Sequence, residues 1–158
     1  MLKIGEQAPL HIKLEGSDGK VYQLADFKGQ KTVVFFYPKD NTPDCTLEAK
    51  SISCLDSEFK ALNVHVVGVS PDTVKKHQNF IAKHELTPLL LADTEKELAE
   101  GFGVWGLKKT FGKEYMGLIR TTFILDEMGK VIKVFDKVKT KTHGEDVLAY
   151  LAGLGPEE

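Results

Sequence analysis

A chain of 158 residues, of which 42% are hydrophobic and 28% charged, can form one globular domain that buries about 70% of its unfolded surface without a disulfide or a metal. Its net charge of −2 gives no reason to expect nucleic acid or an acidic membrane as a partner. The first six residues contain no apolar signal core, and no stretch approaches the roughly 18 apolar residues of a membrane helix, so we expect a cytoplasmic protein whose two cysteines stay reduced.

Strand-like and helix-like segments alternate along the chain. In order, the sequence predicts a hairpin at 11–14 and 20–24, a strand at 32–37, a helix at about 45–62, a strand at 64–69, a helix from a Ser70 cap and Pro71 to about residue 85, a strand at 88–92, a short helix capped by Asp93 or Thr94 and ending near residue 100, a glycine-rich connector at 101–118, a hairpin of strands 121–125 and 131–135, and a helix at about 144–152.

This order of elements favours an α/β fold with a central mixed β-sheet flanked by helices and an N-terminal β-hairpin. The sequence contains no internal repeat and no linker between domains. We therefore expect one domain over residues 1–158, with residues 155–158 frayed at its end.

Cys45 carries the clearest chemical signal. It lies where the apolar strand 32–37 ends, a loop with two prolines turns, and a helix begins. Backbone N–H groups and the helix dipole favour an anion at such a place, so the thiol is biased toward the thiolate. A buried, unreactive cysteine is the alternative that the residue type alone leaves open.

The helical spacing separates the two cysteines. At about 100° per residue, the inward-facing stripe of the predicted helix holds Cys45, Ile52, Leu55, Phe59 and Leu62. Cys54 lies nine residues after Cys45, which places it on the opposite side of the helix and about 13 Å further along the axis. A disulfide needs Cα atoms within about 7 Å, so the two cysteines cannot pair while the helix is intact.

Three residues of this region resemble a known signature. The pattern Pro-x-x-x-Thr-x-x-Cys, formed by Pro38, Thr42 and Cys45, resembles the active-site motif of the peroxiredoxins. Residues 36–43, Phe-Tyr-Pro-Lys-Asp-Asn-Thr-Pro, are similar to the Q-type subfamily, also called the bacterioferritin comigratory proteins. The similarity continues in segments 68–72, 102–105 and 120–126 and so covers nearly the whole chain.

The resemblance implies a thioredoxin-like fold and a thiol peroxidase that reduces hydrogen peroxide and organic hydroperoxides without metal, haem or flavin. Cys45 would be the peroxidatic nucleophile that becomes a sulfenic acid. Arg120 would favour the thiolate and bind the peroxide oxygens, and Glu48 would orient that arginine. Thr42 would hydrogen-bond the thiolate or the peroxide, and Pro38 would shield the thiol from water. Taken singly, Thr42 and Pro38 also fit ordinary roles in a loop, and Arg120 also fits an ordinary position on a surface strand.

Two positions depart from the family pattern. Asp44 stands where many members have a small or apolar residue, and its charge would oppose the thiolate although it suits the start of a helix. Lys50 stands where many Q-type members carry the resolving cysteine, and the following helix has no cysteine either.

Cys54 is the remaining candidate for a resolving cysteine, either after partial unwinding of the helix or through a link between two chains. A one-cysteine cycle with an external thiol, and an incidental surface role for Cys54, stay open. The expected reductant is thioredoxin, glutaredoxin or a low-molecular-weight thiol. The expected state is a monomer or a weak homodimer.

Other function classes fit less well. Gly101, Gly103 and Gly106 match G-x-G-x-x-G, but they follow a predicted helix rather than a strand, which disfavours a dinucleotide site. A dithiol oxidoreductase on the same fold needs Cys-x-x-Cys, whereas residue 48 is Glu48. A redox-sensing module without peroxidase turnover is the other alternative.

The remaining polar clusters predict no further site. His77 and His84 share a helix face without a cysteine or carboxylate cluster, so we expect both to be solvated. The lysine-rich segment 130–141 is expected to protect a sheet edge rather than to bind nucleic acid.

Overall fold

Seven strands form one mixed sheet at the centre of the computed structural model, which describes residues 1–154 apart from the side chains of Thr110 and Leu154. These seven strands are β1 (Leu14–Gly16), β2 (Val21–Tyr22), β3 (Lys31–Phe36), β4 (Val64–Ser70), β5 (Leu89–Ala92), β8 (Thr121–Leu125) and β9 (Val131–Phe135). Two further strands, β6 (Trp105–Thr110) and β7 (Lys113–Leu118), pair with each other in a second sheet. The helices are α1 (Pro43–Ser53), α2 (Asp56–Ala61), α3 (Val74–His84), α4 (Glu97–Phe102) and α5 (His143–Leu154), with a 3-10 turn at Leu24–Phe27. The predicted frayed tail, 155–158, lies outside the described residues.

The order of strands in the sheet is β2-β1-β5-β4-β3-β8-β9. β4 runs parallel to both β3 and β5, whereas β8 pairs antiparallel with β3, and β1 antiparallel with β5. The predicted α/β architecture with a mixed sheet and an N-terminal hairpin of β1 and β2 is therefore confirmed. β9 lies at one edge of the sheet, where the lysine-rich segment was expected to protect it.

The central strand β3 is buried on both faces. Its side chains alternate between two apolar clusters, with Val34 and Phe36 in one and Val33 and Phe35 in the other. A strand covered on both faces has a continuous apolar sequence, which explains why 32–37 shows no alternation of polar and apolar residues. α1 packs on the second cluster through Cys45, Ala49 and Ile52, so the start of this helix is held against the sheet.

The predicted helix 45–62 is two helices, because the chain breaks at Cys54 and Leu55. The Leu55 N–H donates to the Ile52 carbonyl, three residues earlier, so α1 ends in a tightened turn. Cys45, Ile52 and Phe59 are buried as the predicted stripe requires, but Leu62 is 42% exposed. Leu62 follows the last residue of α2, so the helical stripe no longer extends to it.

The predicted start of the next helix is also wrong. α3 begins at Val74, and the Thr73 side chain caps it by accepting from the Lys76 N–H. Ser70 is instead the last residue of β4, and its hydroxyl donates to Asp72 Oδ2 at 2.8 Å. The serine is therefore used to shape the connection between strand and helix, and Pro71 lies before the helix rather than in it.

The predicted glycine-rich connector at 101–118 is largely a hairpin of β6 and β7. Phe111 and Gly112 form its turn, with φ values of 54° and 77°. Two consecutive residues with positive φ are what a tight hairpin turn requires. Gly101 and Gly103 belong to the end of α4 and Gly106 to β6, so the G-x-G-x-x-G match lacks the strand–turn–helix context of a dinucleotide site.

Candidate active site

Cys45 lies in the first turn of α1, directly after the loop that follows β3. Thr42 is the N-cap, and Pro43 occupies the first helical position, where the missing N–H would have had no acceptor within the helix. Cys45 is 1% exposed. Its thiol therefore lies at the positive end of an 11-residue helix and away from bulk water.

Arg120 joins Cys45 to Glu48. Its Nη2 donates to Cys45 Sγ at 3.2 Å, and its Nη1 donates to Glu48 Oε1 at 2.6 Å. Because Phe36 of β3 lies opposite Thr121 of β8, the preceding Arg120 reaches the loop after β3. Burial alone would lower the pKa of Arg120, but the Glu48 carboxylate and the Cys45 sulfur raise it overall, so the guanidinium stays charged.

Glu48 is a fully buried acid one turn after Cys45. Its Oε1 accepts from Arg120, whereas its Oε2 has no hydrogen-bond partner among residues 1–154. Burial raises the pKa of Glu48 to about 7, although the ion pair with Arg120 acts to lower it. The carboxyl group therefore gains and loses its proton close to neutral pH.

His143, the first residue of α5, lies on the far side of this carboxyl group. Its Nε2 is 3.7 Å from Glu48 Oε2 and 2.7 Å from the Thr122 hydroxyl. Burial lowers the pKa of His143 to about 4, with Asp146 opposing and Arg120 adding to the shift, so the ring is neutral at pH 7. A neutral ring explains why Glu48 Oε2 gains no ion pair from it. Sequence reasoning missed His143 and Thr122, because only the packing of α5 brings His143 to Glu48 and to Thr122 of β8.

Thr42 and Pro38 lie in the loop between β3 and α1. The Thr42 hydroxyl donates to the Lys39 carbonyl at 2.7 Å, so its hydrogen is used within the loop. Pro38 is half-buried at the end of the central strand. Three of the five predicted residues thus form one hydrogen-bonded group, and the other two flank it in the loop.

Cys54 is exposed at the C-terminal end of α1, and both cysteines are free thiols. Cys54 is the C-cap of α1 and Cys45 lies in its first turn, so the length of the helix separates the two thiols. Asp44 is exposed, so water screens the charge that was expected to oppose the thiolate.

The expectation that His77 is solvated is wrong. His77 is 0% exposed and lies 2.7 Å from Asp40, whereas His84 is partly exposed and meets Phe80 edge-on. Within residues 1–154, no three His, Cys, Asp or Glu side chains are arranged to hold a metal ion. No helix in the same range is both long enough and apolar enough to cross a membrane.

Replacing Glu48 with glutamine should change the pH dependence of stability. The pKa of about 7 lies above the ordinary value of 4.5, so the stability that Glu48 contributes is fully present below pH 4.5 and is lost as the pH rises through 7. The glutamine variant has no such loss. Its free energy of unfolding relative to wild type should rise by about 3 kcal/mol across this window, as measured by chemical denaturation at several pH values.

Glu145→Gln is the matched control, because Glu145 is exposed on α5 and should leave the pH dependence parallel to wild type. His143 titrates in the opposite sense: its contribution is present above pH 6.5 and lost as the pH falls through about 4. The two groups therefore change stability in opposite directions, and the loss between pH 4.5 and 7 distinguishes Glu48 from His143. Parallel curves for wild type and Glu48→Gln would contradict the raised pKa.

Comparison with known proteins agrees with this geometry. The model of the AhpC/TSA family matches residues 4–134. The chain is 47% identical over 150 residues to peroxiredoxin Bcp of Bacillus subtilis, covering 95% of both chains, and 41% identical to that of Escherichia coli K12, covering 95% of this chain and 96% of the relative. It superposes on the bacterioferritin comigratory protein of Xanthomonas campestris with a TM-score of 0.90 at 34% identity, covering 96% and 99% of the two chains. The chain therefore belongs to the AhpC/TSA family, as a thiol peroxidase of the Q-type, or bacterioferritin comigratory, peroxiredoxins.

Proposed function

We propose that Cys45 is the peroxidatic cysteine of this peroxidase. Its thiolate attacks one peroxide oxygen, the O–O bond breaks, and Cys45 becomes a sulfenic acid. The other oxygen leaves as hydroxide or alkoxide and takes up one proton to give water or an alcohol. The observation that carries the proposal is the 3.2 Å hydrogen bond from Arg120 Nη2 to Cys45 Sγ at the start of α1.

Arg120 has two functions in this proposal. Its charge and its donated hydrogen bond favour the thiolate before the attack. During the attack, negative charge develops on the leaving oxygen, and the guanidinium can stabilise it together with the first N–H groups of α1, which have no acceptor inside the helix. Glu48, bound to Nη1 at 2.6 Å, keeps the guanidinium oriented.

Thr42 and Pro38 are proposed to place the peroxide and to limit access of water. The Thr42 hydroxyl now donates to the Lys39 carbonyl, and a rotation about its side-chain torsion would turn it from this acceptor toward a bound peroxide. Pro38 is half-buried and rigid, which suits a residue that covers the thiol.

An external thiol is the proposed resolving group. Cys54 would have to cross about 13 Å, which requires most of α1 to unwind and exposes Ala49 and Ile52, both now buried. Exposure of one isoleucine alone costs about 1.5–3 kcal/mol. An incoming thiol needs only the first turn of α1 to open. It forms a mixed disulfide with Cys45 and releases water, and a second thiol then restores the thiolate. Resolution by Cys54 is the alternative.

Hydrogen peroxide and organic hydroperoxides are the proposed substrates. The Xanthomonas campestris relative is described as having alkyl peroxide reduction activity. Thioredoxin, glutaredoxin or a low-molecular-weight thiol is the proposed reductant, in the cytoplasm, because both cysteines are free thiols. We also propose a single domain that acts as a monomer or weak homodimer.

Intact mass spectrometry after one equivalent of hydrogen peroxide tests the proposal. With an external resolving thiol, wild type and Cys54→Ser should both gain one oxygen atom. A loss of two hydrogens in wild type alone would assign the resolving role to Cys54, and a dimer mass would indicate a link between chains. Absence of any oxidation at Cys45 would contradict the proposal. Oxidation without renewed turnover on addition of thiols would favour the redox-sensing alternative.

A further inference from the structure

The loop that leads to Cys45 is attached to the rest of the protein through Asp40. The Asp40 carboxylate accepts from the Tyr37 hydroxyl at 2.6 Å and lies 2.7 Å from His77 Nδ1. The Asp40 backbone N–H donates to Asp72 Oδ2 at 2.7 Å. Asp40 is 6% exposed and His77 is 0% exposed, so these contacts are made away from water.

Both ring nitrogens of His77 face acceptors. Nδ1 faces the Asp40 carboxylate, and Nε2 lies 2.9 Å from the Leu91 carbonyl oxygen. A carbonyl oxygen cannot donate, so Nε2 carries a hydrogen, and one more proton lies between Nδ1 and Asp40. Hydrogens on both ring nitrogens let each nitrogen donate to the acceptor that it faces, which is the arrangement of an imidazolium beside the Asp40 carboxylate. The hydroxyl of Tyr37 donates to the other oxygen of Asp40, so both carboxylate oxygens face a hydrogen-bond donor.

This charge pair controls the position of the residues on either side of it. Pro38, Asp40 and Thr42 belong to one short loop, so an anchor at Asp40 constrains the other two. The contact with His77 ties the loop to α3, and the contact with Asp72 ties it to the segment after β4. A buried pair of opposite charges cannot exchange either partner for water without a large penalty, so it holds one arrangement.

We propose that Asp40 and His77 are positioning residues for peroxide reduction: their buried carboxylate–imidazolium pair fixes the loop that carries Pro38 and Thr42 beside Cys45. This inference rests on the proposed role of Cys45. The pair acts through the loop rather than on the sulfur, so it governs how a peroxide is placed for attack. Displacement of positioning groups by about 1 Å can cost about 10²-fold in rate.

The charge state of His77 can be tested without any variant. Nitrogen-15 spectra of the wild-type protein at neutral pH should show two nearly equal ring-nitrogen shifts for His77 and hydrogens on both nitrogens. His77→Gln identifies the signals by their loss. The unequal shifts of a neutral ring would overturn the imidazolium and the proposal with it.

The positioning role is tested by the rate of sulfenic acid formation at Cys45, measured by rapid quenching and mass spectrometry. Asp40→Asn and His77→Gln should each slow this step by about 10²-fold, while alkylation of Cys45 by iodoacetamide stays as fast or becomes faster. His84→Gln, on the same helix and partly exposed, should match wild type.

The double variant Asp40→Asn/His77→Gln removes both charges together. It replaces a single variant in this test if that variant folds poorly. If the two residues act as a pair, the double variant should lose about as much rate as either single variant. The proposal would be overturned if the rate loss of the double variant equalled the product of the two single losses. It would also be overturned if correctly folded variants formed sulfenic acid at the wild-type rate. Absence of sulfenic acid in wild type would instead refute the role of Cys45, while the nitrogen-15 result would still decide the charge pair.

Discussion

Replacing Cys45 with serine should reduce hydrogen peroxide consumption to the rate of the uncatalysed reaction. A serine hydroxyl is not ionised at neutral pH, even beside Arg120 and at a helix start, so the variant lacks a nucleophile. The volume change is small and the site already contains a donor at 3.2 Å from the sulfur, so the fold should persist. Peroxide loss is followed in the presence of excess thiol, and circular dichroism checks the fold.

Cys54→Ser is the matched control for this experiment. It removes the other thiol of the chain, which is exposed at the end of α1. The first turnover should proceed at the wild-type rate, because peroxide attack requires only Cys45. Residual catalysis by Cys45→Ser, or loss of the first turnover in Cys54→Ser, would contradict the assignment. Unchanged steady-state turnover of Cys54→Ser with thioredoxin would exclude Cys54 as the resolving thiol.

Replacing Arg120 with methionine should lower the rate of peroxide attack by about 10²–10³-fold, the usual cost of removing one donor from a developing oxyanion. Two effects combine. Cys45 loses the charged donor within hydrogen-bond distance of its sulfur, and the leaving oxygen loses the same charged donor. The first effect is measured by the pH dependence of iodoacetamide alkylation, and the second by sulfenic acid formation at a pH where the thiol is fully ionised.

Arg120→Lys separates charge from geometry. Lysine retains the positive charge but cannot donate in parallel to Cys45 and Glu48 from a planar group. It should recover part of the alkylation rate of Cys45 and little of the rate of attack on peroxide. If wild type and Arg120→Met formed sulfenic acid at equal rates where the Cys45 thiol is fully ionised, Arg120 would act only on the thiol and not on the leaving oxygen.

The parts of the site that lie close together in the chain could be predicted from the sequence. Pro38, Thr42 and Cys45 fall within eight residues, and helix geometry alone separates Cys54 from Cys45. Arg120 was identified through the resemblance, since no local pattern connects it to the loop. The register of β3 with β8 is what brings it there.

The difference between local patterns and tertiary packing also explains two predictions that were wrong, for His77 and for segment 101–118. His77 was expected to be solvated because helical spacing gives the face of a residue but not what packs on that face. In the structure, the two ring nitrogens of His77 meet Asp40, from the loop between β3 and α1, and the Leu91 carbonyl of β5. The segment 101–118 was predicted as a glycine-rich connector, but the pairing of β6 with β7 across a tight turn overrides the low strand propensity of glycine.

The sequence by itself determined the elements whose causes are local: the buried apolar strands and the start of a helix at Cys45. Only the tertiary structure decided which distant groups reach that thiol. Arg120 from the start of β8 and His143 from α5 meet at Glu48, and His77 from α3 meets Asp40. The physical reason is that burial shifts the pKa values of Glu48 and His143, and burial exists only once these elements have packed together.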